Sequence, residues 1–394
     1  MPASAIRFLT AAVFCMCCVC SHAQVFGMPG GVDNLRKSAG AGSYYPAEPY
    51  ALQESVRRYI NAAPGTEPAG RLLAVVTPHA PYGLAGEVTA AAFKWIQPGQ
   101  FDRVIVLGPS QDPTLQECSI ADVEAYVTPL GMIPIDRTAV NTLRYSPIIK
   151  TAKVDYRKGE EGVHERNVSV EVVLPFLQER IGVFRLVPIV VGDLMNGPEA
   201  VGNIAAVARA VRNILDDRTL IVATCNFTHY GSVFGYAPFG DAPEQGVRKL
   251  DEDLFARVLA QDGDSLAREI RRTENRVSAL SVLEILMLVL PDDAGGMIAA
   301  YDTSGKKTGR WENSISFGTL IFNDPKSPAP ESFPQRKLAE LTGPVEAPQA
   351  APAPIEAAPA PQADTAPADK KEEKKETRKE RKERKAREKS EKQR

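Results

Sequence analysis

Short apolar runs alternate with amphipathic stretches along most of the chain. Leu72-Leu73-Ala74-Val75-Val76, Arg103-Val104-Ile105-Val106-Leu107, Arg185 to Val191 and Leu220-Ile221-Val222-Ala223-Thr224 are brief and rich in β-branched residues. They predict buried strands. Helical spacing predicts helices over Pro49 to Ala62, Gly83 to Ile96, Asn167 to Ile181, Ala200 to Leu215, Leu250 to Leu259 and Val277 to Leu290, the last two joined by a polar link. Asp136 is placed to cap a short helix through Leu143. Met297 to Tyr301 and Ser314 to Phe322 read as closing strands around the turn-rich Asp302-Thr303-Ser304-Gly305. Strands alternating with helices predict an α/β fold, with a mainly parallel central sheet flanked by helices and antiparallel additions near its end.

Three strands run straight into polar loops. Pro78 cannot continue a ladder, so the first strand stops at Thr77 and His79 sits at its carboxyl end. The second is followed by Gly108-Pro109-Ser110-Gln111-Asp112, the third by Cys225-Asn226-Phe227-Thr228-His229-Tyr230-Gly231. Open α/β sheets bind ligands outside the carboxyl ends of their strands, so these loops are the candidate site.

The ends change the picture of the whole. Met1 to Ala23 has a basic start (Arg7), an apolar stretch and Ser21-His22-Ala23, the pattern of a signal peptide cleaved near Ala23. This predicts an exported protein, periplasmic or secreted; acylation at Cys20 is a competing reading. Residues 24–40 read as a loose leader, 41–324 as one domain, 325–369 as a Pro/Ala-rich disordered linker and 370–394 as a charged tail. The tail holds fourteen basic and seven acidic residues, whereas the whole chain has a formal charge of -2. An acidic body therefore carries a basic arm, either simply solvated or in contact with an anionic envelope surface. No nucleic-acid partner is expected. Cys118 and Cys225 alone survive cleavage, which excludes a disulfide framework and any Cys-x-x-Cys zinc site. The mature chain keeps three histidines, His79, His164 and His229.

Seven short motifs recur in one order: Ala41-Gly42-Ser43-Tyr44-Tyr45-Pro46, Pro78-His79-Ala80-Pro81-Tyr82, Leu107 to Ser110, Glu124 to Gly131, Ser169 to Leu177, Val187 to Asp193 and Asn226 to Gly231. In this order they resemble the Memo family, known in bacteria as AmmeMemoRadiSam system protein B. The resemblance covers about Ala41 to Asn323 and implies a fold similar to class III extradiol dioxygenases. It further implies an iron or copper site made of the His of the Pro-His-Ala motif, a His-His pair after Gly-Pro-Ser and a late Cys. Here the first is His79, the pair is Gln111-Asp112, and the place of the Cys falls near Val277 and Ser278. Asn226 stands where relatives have Asp, and Val168 where they often have His.

The site expectation is thus a facial set of His79, Asp112 and either His229 or His164, which suits non-haem Fe(II). Ser110, Gln111 and Asn226 lie nearby, walled by Tyr82 and Tyr230. Each ligand has a plainer reading: a strand-end His as structure, Asp112 as a turn residue before Pro113, and His229 as a hydrogen-bonded His under the pocket. Two functions stay open, and whether the protein is an enzyme with them. One is a degenerate site binding a small molecule, a peptide or a partner. The other is an iron- or copper-dependent redox enzyme or dioxygenase in which His79 and His229 are catalytic.

Overall fold

The computed structural model describes residues 34–152, 162–240 and 242–327. The signal peptide, the leader up to residue 33, the Pro/Ala-rich stretch from 328 and the charged tail lie outside the described residues. In chain order the elements are β1 (Leu35–Arg36), α1 (Pro49–Ala62), β2 (Arg71–Thr77), α2 (Tyr82–Ala91), β3 (Arg103–Pro109), β4 (Cys118–Ala121), β5 (Ala125–Thr128), β6 (Gly131–Pro134), α3 (Arg137–Leu143) and β7 (Ile149–Ala152). Then come α4 (Val163–Arg166), α5 (Leu174–Ile181), β8 (Arg185–Val191), α6 (Ala200–Arg212), β9 (Thr219–Thr224), β10 (Asn226–Gly231), α7 (Pro243–Leu259), α8 (Gly263–Thr273), α9 (Leu280–Val289), β11 (Gly295–Thr303), α10 (Ser304–Thr308) and β12 (Asn313–Asp324).

The large sheet runs β10-β12-β2-β9-β3-β8-β4-β7, with β11 on the other side of β12. Its centre, β2-β9-β3-β8, is parallel. Antiparallel pairing begins on both flanks, at β12 and at β4. The step from β8 back to β9 reverses the direction of the earlier crossovers. With right-handed connections that puts α2 and α5 on one face and α6 on the other, where α6 packs on α9. Val104, Ile105, Val106 and Leu107 are all fully buried, as strands covered on both faces must be. A small sheet, β1-β5-β6, sits apart. Among the described residues no helix is long and apolar enough to cross a membrane.

The predicted strands and α1 stand. Other elements differ, each for a local reason. Residues 34–40 of the supposed loose leader are built into the domain: β1 pairs with β5, and Arg36 is wholly buried. The helix expected from Asn167 begins only at Leu174, because Asn167 Oδ1 accepts from Ser169 N at 2.9 Å and Ser169 Oγ at 2.7 Å and holds a turn instead. Pro175 lies in the first turn of α5, where its missing N–H costs nothing. The polar link after Leu259 contains α8, capped by Asp262 on Ser265 N at 2.9 Å. Asn226 to Gly231, expected as a loop, is strand β10 on β12.

Candidate functional site

The parallel centre delivers its strand ends to one edge. Thr77 is in register with Thr224, and Pro109 with Val191. The loops after β2, β3, β8 and β9 therefore meet there; the sequence predicts three of these, those after β2, β3 and β9. Asn226 is the bracket between them. Its Oδ1 accepts the His79 N–H at 3.1 Å. Its own N–H donates to Ser278 Oγ at 3.1 Å, and its carbonyl accepts from that hydroxyl at 2.9 Å. His79, Asn226 and Ser278 thus form one hydrogen-bonded unit before α9.

The β3 loop is held from the opposite side. Pro109 O accepts from Asn167 Nδ2 at 2.8 Å and lies equally close to Ser169 Oγ, and Gln111 Oε1 accepts from Val168 N at 3.3 Å. Gly108 permits this approach, since a Cβ there would lie 2.9 Å from Val170 Cγ2 and closer still to Ser169 Oγ. Two cavities of about 310 Å³ each flank the Asp112-Pro113 ridge. One is lined by Ser110, Asp193, Asn196, Ser278 and Leu280 among others. The other lies between Gln111 and the segment Val163, Arg166, Asn167. Asp112 is committed to its own turn: Oδ1 accepts from Thr114 N at 2.9 Å and Thr114 Oγ1 at 2.7 Å. These bonds hold its carboxyl below the usual carboxylate range.

The three imidazoles are neutral for one main reason, burial. His79 is lowered to about 3 by desolvation, with the nearby His229 adding to the effect, and its Nδ1 has no hydrogen-bond partner. His229 is also lowered by burial. Its Nδ1 lies 2.9 Å from Phe227 O and 3.0 Å from Arg276 O. Carbonyls only accept, so Nδ1 carries the proton and Nε2 the lone pair. His164 is elsewhere, lowered to about 3 by desolvation and by Arg36, with Nδ1 against Tyr126 Oη at 2.6 Å.

The expected ligand set is not assembled. Among the described residues no three His, Cys, Asp or Glu side chains come together as a metal-holding group. His79 and His229 are neighbours, but His164 is turned into the Tyr126–Arg36 cluster and Asp112 into its Thr114 turn. The residues present therefore do not fit the iron or copper centre that the motifs imply. Ser110 and Gln111 do line the cavities. Tyr82 and Tyr230 line neither: Tyr82 Oη donates to Val172 O at 2.7 Å inside an aromatic cluster, and Tyr230 stacks on Phe239.

Sequence reasoning missed Asp251. It lies wholly buried on α7 and accepts from Thr228 Oγ1 at 2.6 Å, Thr228 N at 3.2 Å and Tyr301 Oη at 2.8 Å. It thereby buttresses β10 between Asn226 and His229. The signal was present, since Val247, Asp251, Leu254, Phe255 and Val258 form one buried stripe, and an acid on such a stripe needs a reason.

Comparison with known proteins agrees with the motif order. The family model described as Memo-like protein matches residues 36–321. A Caenorhabditis elegans protein memo-1 homolog is 33% identical over 265 residues, 65% of this chain and 71% of that protein. A MEMO1 family protein of Methanopyrus kandleri is 27% identical over 300 residues, 73% of this chain and 98% of its own. The crystal structure of an uncharacterized Escherichia coli K12 protein aligns over 63% of this chain and 99% of that chain, at 14% identity and a TM-score of 0.39. With nearly the whole described region matched by the family model, the chain belongs to the Memo-like protein family.

Proposed function

We propose that the protein is an exported Memo-like binding protein whose sheet-edge site takes a small polar molecule or a short peptide. The observation that carries this reading is the fate of the ligand positions. Asp112 is spent on Thr114, His164 is turned to Tyr126, His79 is held by Asn226 through its backbone N–H alone, and cavities persist on both sides of the ridge. A concave site with a few placed polar groups is what small-ligand recognition uses. Export rests on the pattern of residues 1–23. N-terminal sequencing of the mature chain tests it, cleavage after Ala23 being the expected result. The basic tail is proposed to contact an anionic envelope surface; loss of envelope co-sedimentation on deleting residues 325–394 checks that.

One observation favours the second reading, a redox enzyme using iron or copper. His79 keeps an unpartnered, neutral ring nitrogen beside a second neutral imidazole, and metal ligation needs the neutral ring. Metal content of the mature protein, purified without chelator, decides between the two. Near-stoichiometric metal that disappears in His79→Ala supports the enzyme. Equal, low metal in both supports the binding protein.

A further inference from the structure

Arg36 and Glu171 are both fully buried and form an ion pair between segments 135 residues apart. Glu171 also accepts the N–H groups of Ala39 and Gly40, each at 2.9 Å, and the phenol of Tyr45. On its other side Arg36 reaches α4. Nε donates to His164 O at 2.9 Å and Nη2 to Asn167 O at 2.6 Å, while the guanidinium lies 5.0 Å from the Tyr126 ring centroid. The two carbonyls bracket the wall of the second cavity, which Val163, Arg166 and Asn167 form opposite Gln111. α4 has four residues, too few to be stable without outside ties. β1 pairs over two residues, so the N-terminal segment is fixed mainly by its bonds to Glu171, with Asn34 O and Tyr44 O accepting from Glu124 N and Tyr82 N at its two ends.

We propose that residues 34–45 are a strap, docked through Arg36, that holds the α4 wall in place, so that this cavity is formed only while the strap is seated. The design is a fork. The carboxylate of Glu171 secures the strap, and the remaining donors of the same guanidinium secure the wall. Arginine alone can do both, because its planar head offers five donors in fixed directions whereas lysine is a point charge.

The test is hydrogen exchange read by mass spectrometry on the full mature chain, comparing wild type, Arg36→Lys, Arg36→Met and Tyr45→Phe. Lysine keeps a cation for Glu171 but gives up the two carbonyls. Exchange over 163–171 is expected to rise about tenfold in Arg36→Lys, with the strap and the β3 reference (103–109) unchanged. Arg36→Met should free strap and wall together, again sparing β3. The proposal is overturned if Arg36→Lys leaves 163–171 at the wild-type rate. It is equally overturned if all three regions accelerate in step, as for a residue that contributes only global stability. Should Arg36→Met fail to fold, Tyr45→Phe replaces it. That variant removes one donor to Glu171 and should speed 39–45 and, to a smaller degree, 163–171; an unmoved wall there counts against the strap.

Discussion

Asp251→Asn isolates the behaviour of one buried charge. Asp251 is fully buried, and desolvation raises its carboxyl from the ordinary 3.8 to about 6, against the opposing hydrogen bonds from Thr228 and Tyr301. At 1.36 kcal/mol for each tenfold change in proton affinity, that gap corresponds to about 3 kcal/mol. The folded chain binds this proton more tightly than the unfolded one. The contribution is therefore fully present below the ordinary carboxyl value, falls as pH rises through about 6, and levels off above it. Asparagine has no such titration. Urea unfolding of both proteins from about pH 4 to pH 8 should show wild type losing about 2.5 kcal/mol relative to the variant, mostly below about pH 6.5. Groups common to both cancel in the difference. Neighbouring Tyr301 and Cys225 stay protonated throughout, because burial pushes both upward. A flat difference curve would refute the argument, since it would mean that Asp251 is already ionised at acidic pH inside the fold.

Three further outcomes follow from the same geometry. Glu171→Gln leaves the Arg36 guanidinium buried without its counter-charge, and should lower stability by about 3–5 kcal/mol with an unchanged urea m-value. Gly192→Ala places a Cβ 2.6 Å from Glu117 O and closer to Leu115 O. Both are backbone atoms that cannot step aside, so a loss of about 1–3 kcal/mol is expected from chemical denaturation. The imidazoles of His79 and His164, both lowered to about 3, should stay neutral in an NMR titration down to about pH 5. Their folded proton affinity lies below the unfolded value, so the stability they contribute is present above about pH 6.5 and is lost as pH falls; a midpoint near 6 for either ring would contradict the burial argument.

The parallel centre was legible because buried strands write themselves as unbroken apolar runs. The convergence of the β2, β3 and β9 loops followed from where those runs stop. α8 was harder to see. Its sequence Gly263–Thr273 is mostly polar and offers only Leu266, Ala267 and Ile270 as an apolar stripe, too narrow to stand out from a polar link. β10 was missed because Asn226 to Gly231 carries polar residues on a strand whose hydroxyl and amide groups are satisfied by Asp251, Ser278 and Asn275, far off in the chain. The leader misled for the same reason, since nothing local marks Arg36 as the partner of Glu171.

Alternation of apolar and polar residues, an intrinsically local property, was enough to determine the α/β class and the polar tips of three strands. Which side chains share a space was decided by the tertiary structure. Hydrogen bonds between distant segments set Tyr126 against the His164 ring and Arg36 against its carbonyl, and tie the His79 N–H to Asn226. Spacing along the chain carries no information about such partners, because direction in space is set only when the sheet closes and each buried donor must find an acceptor.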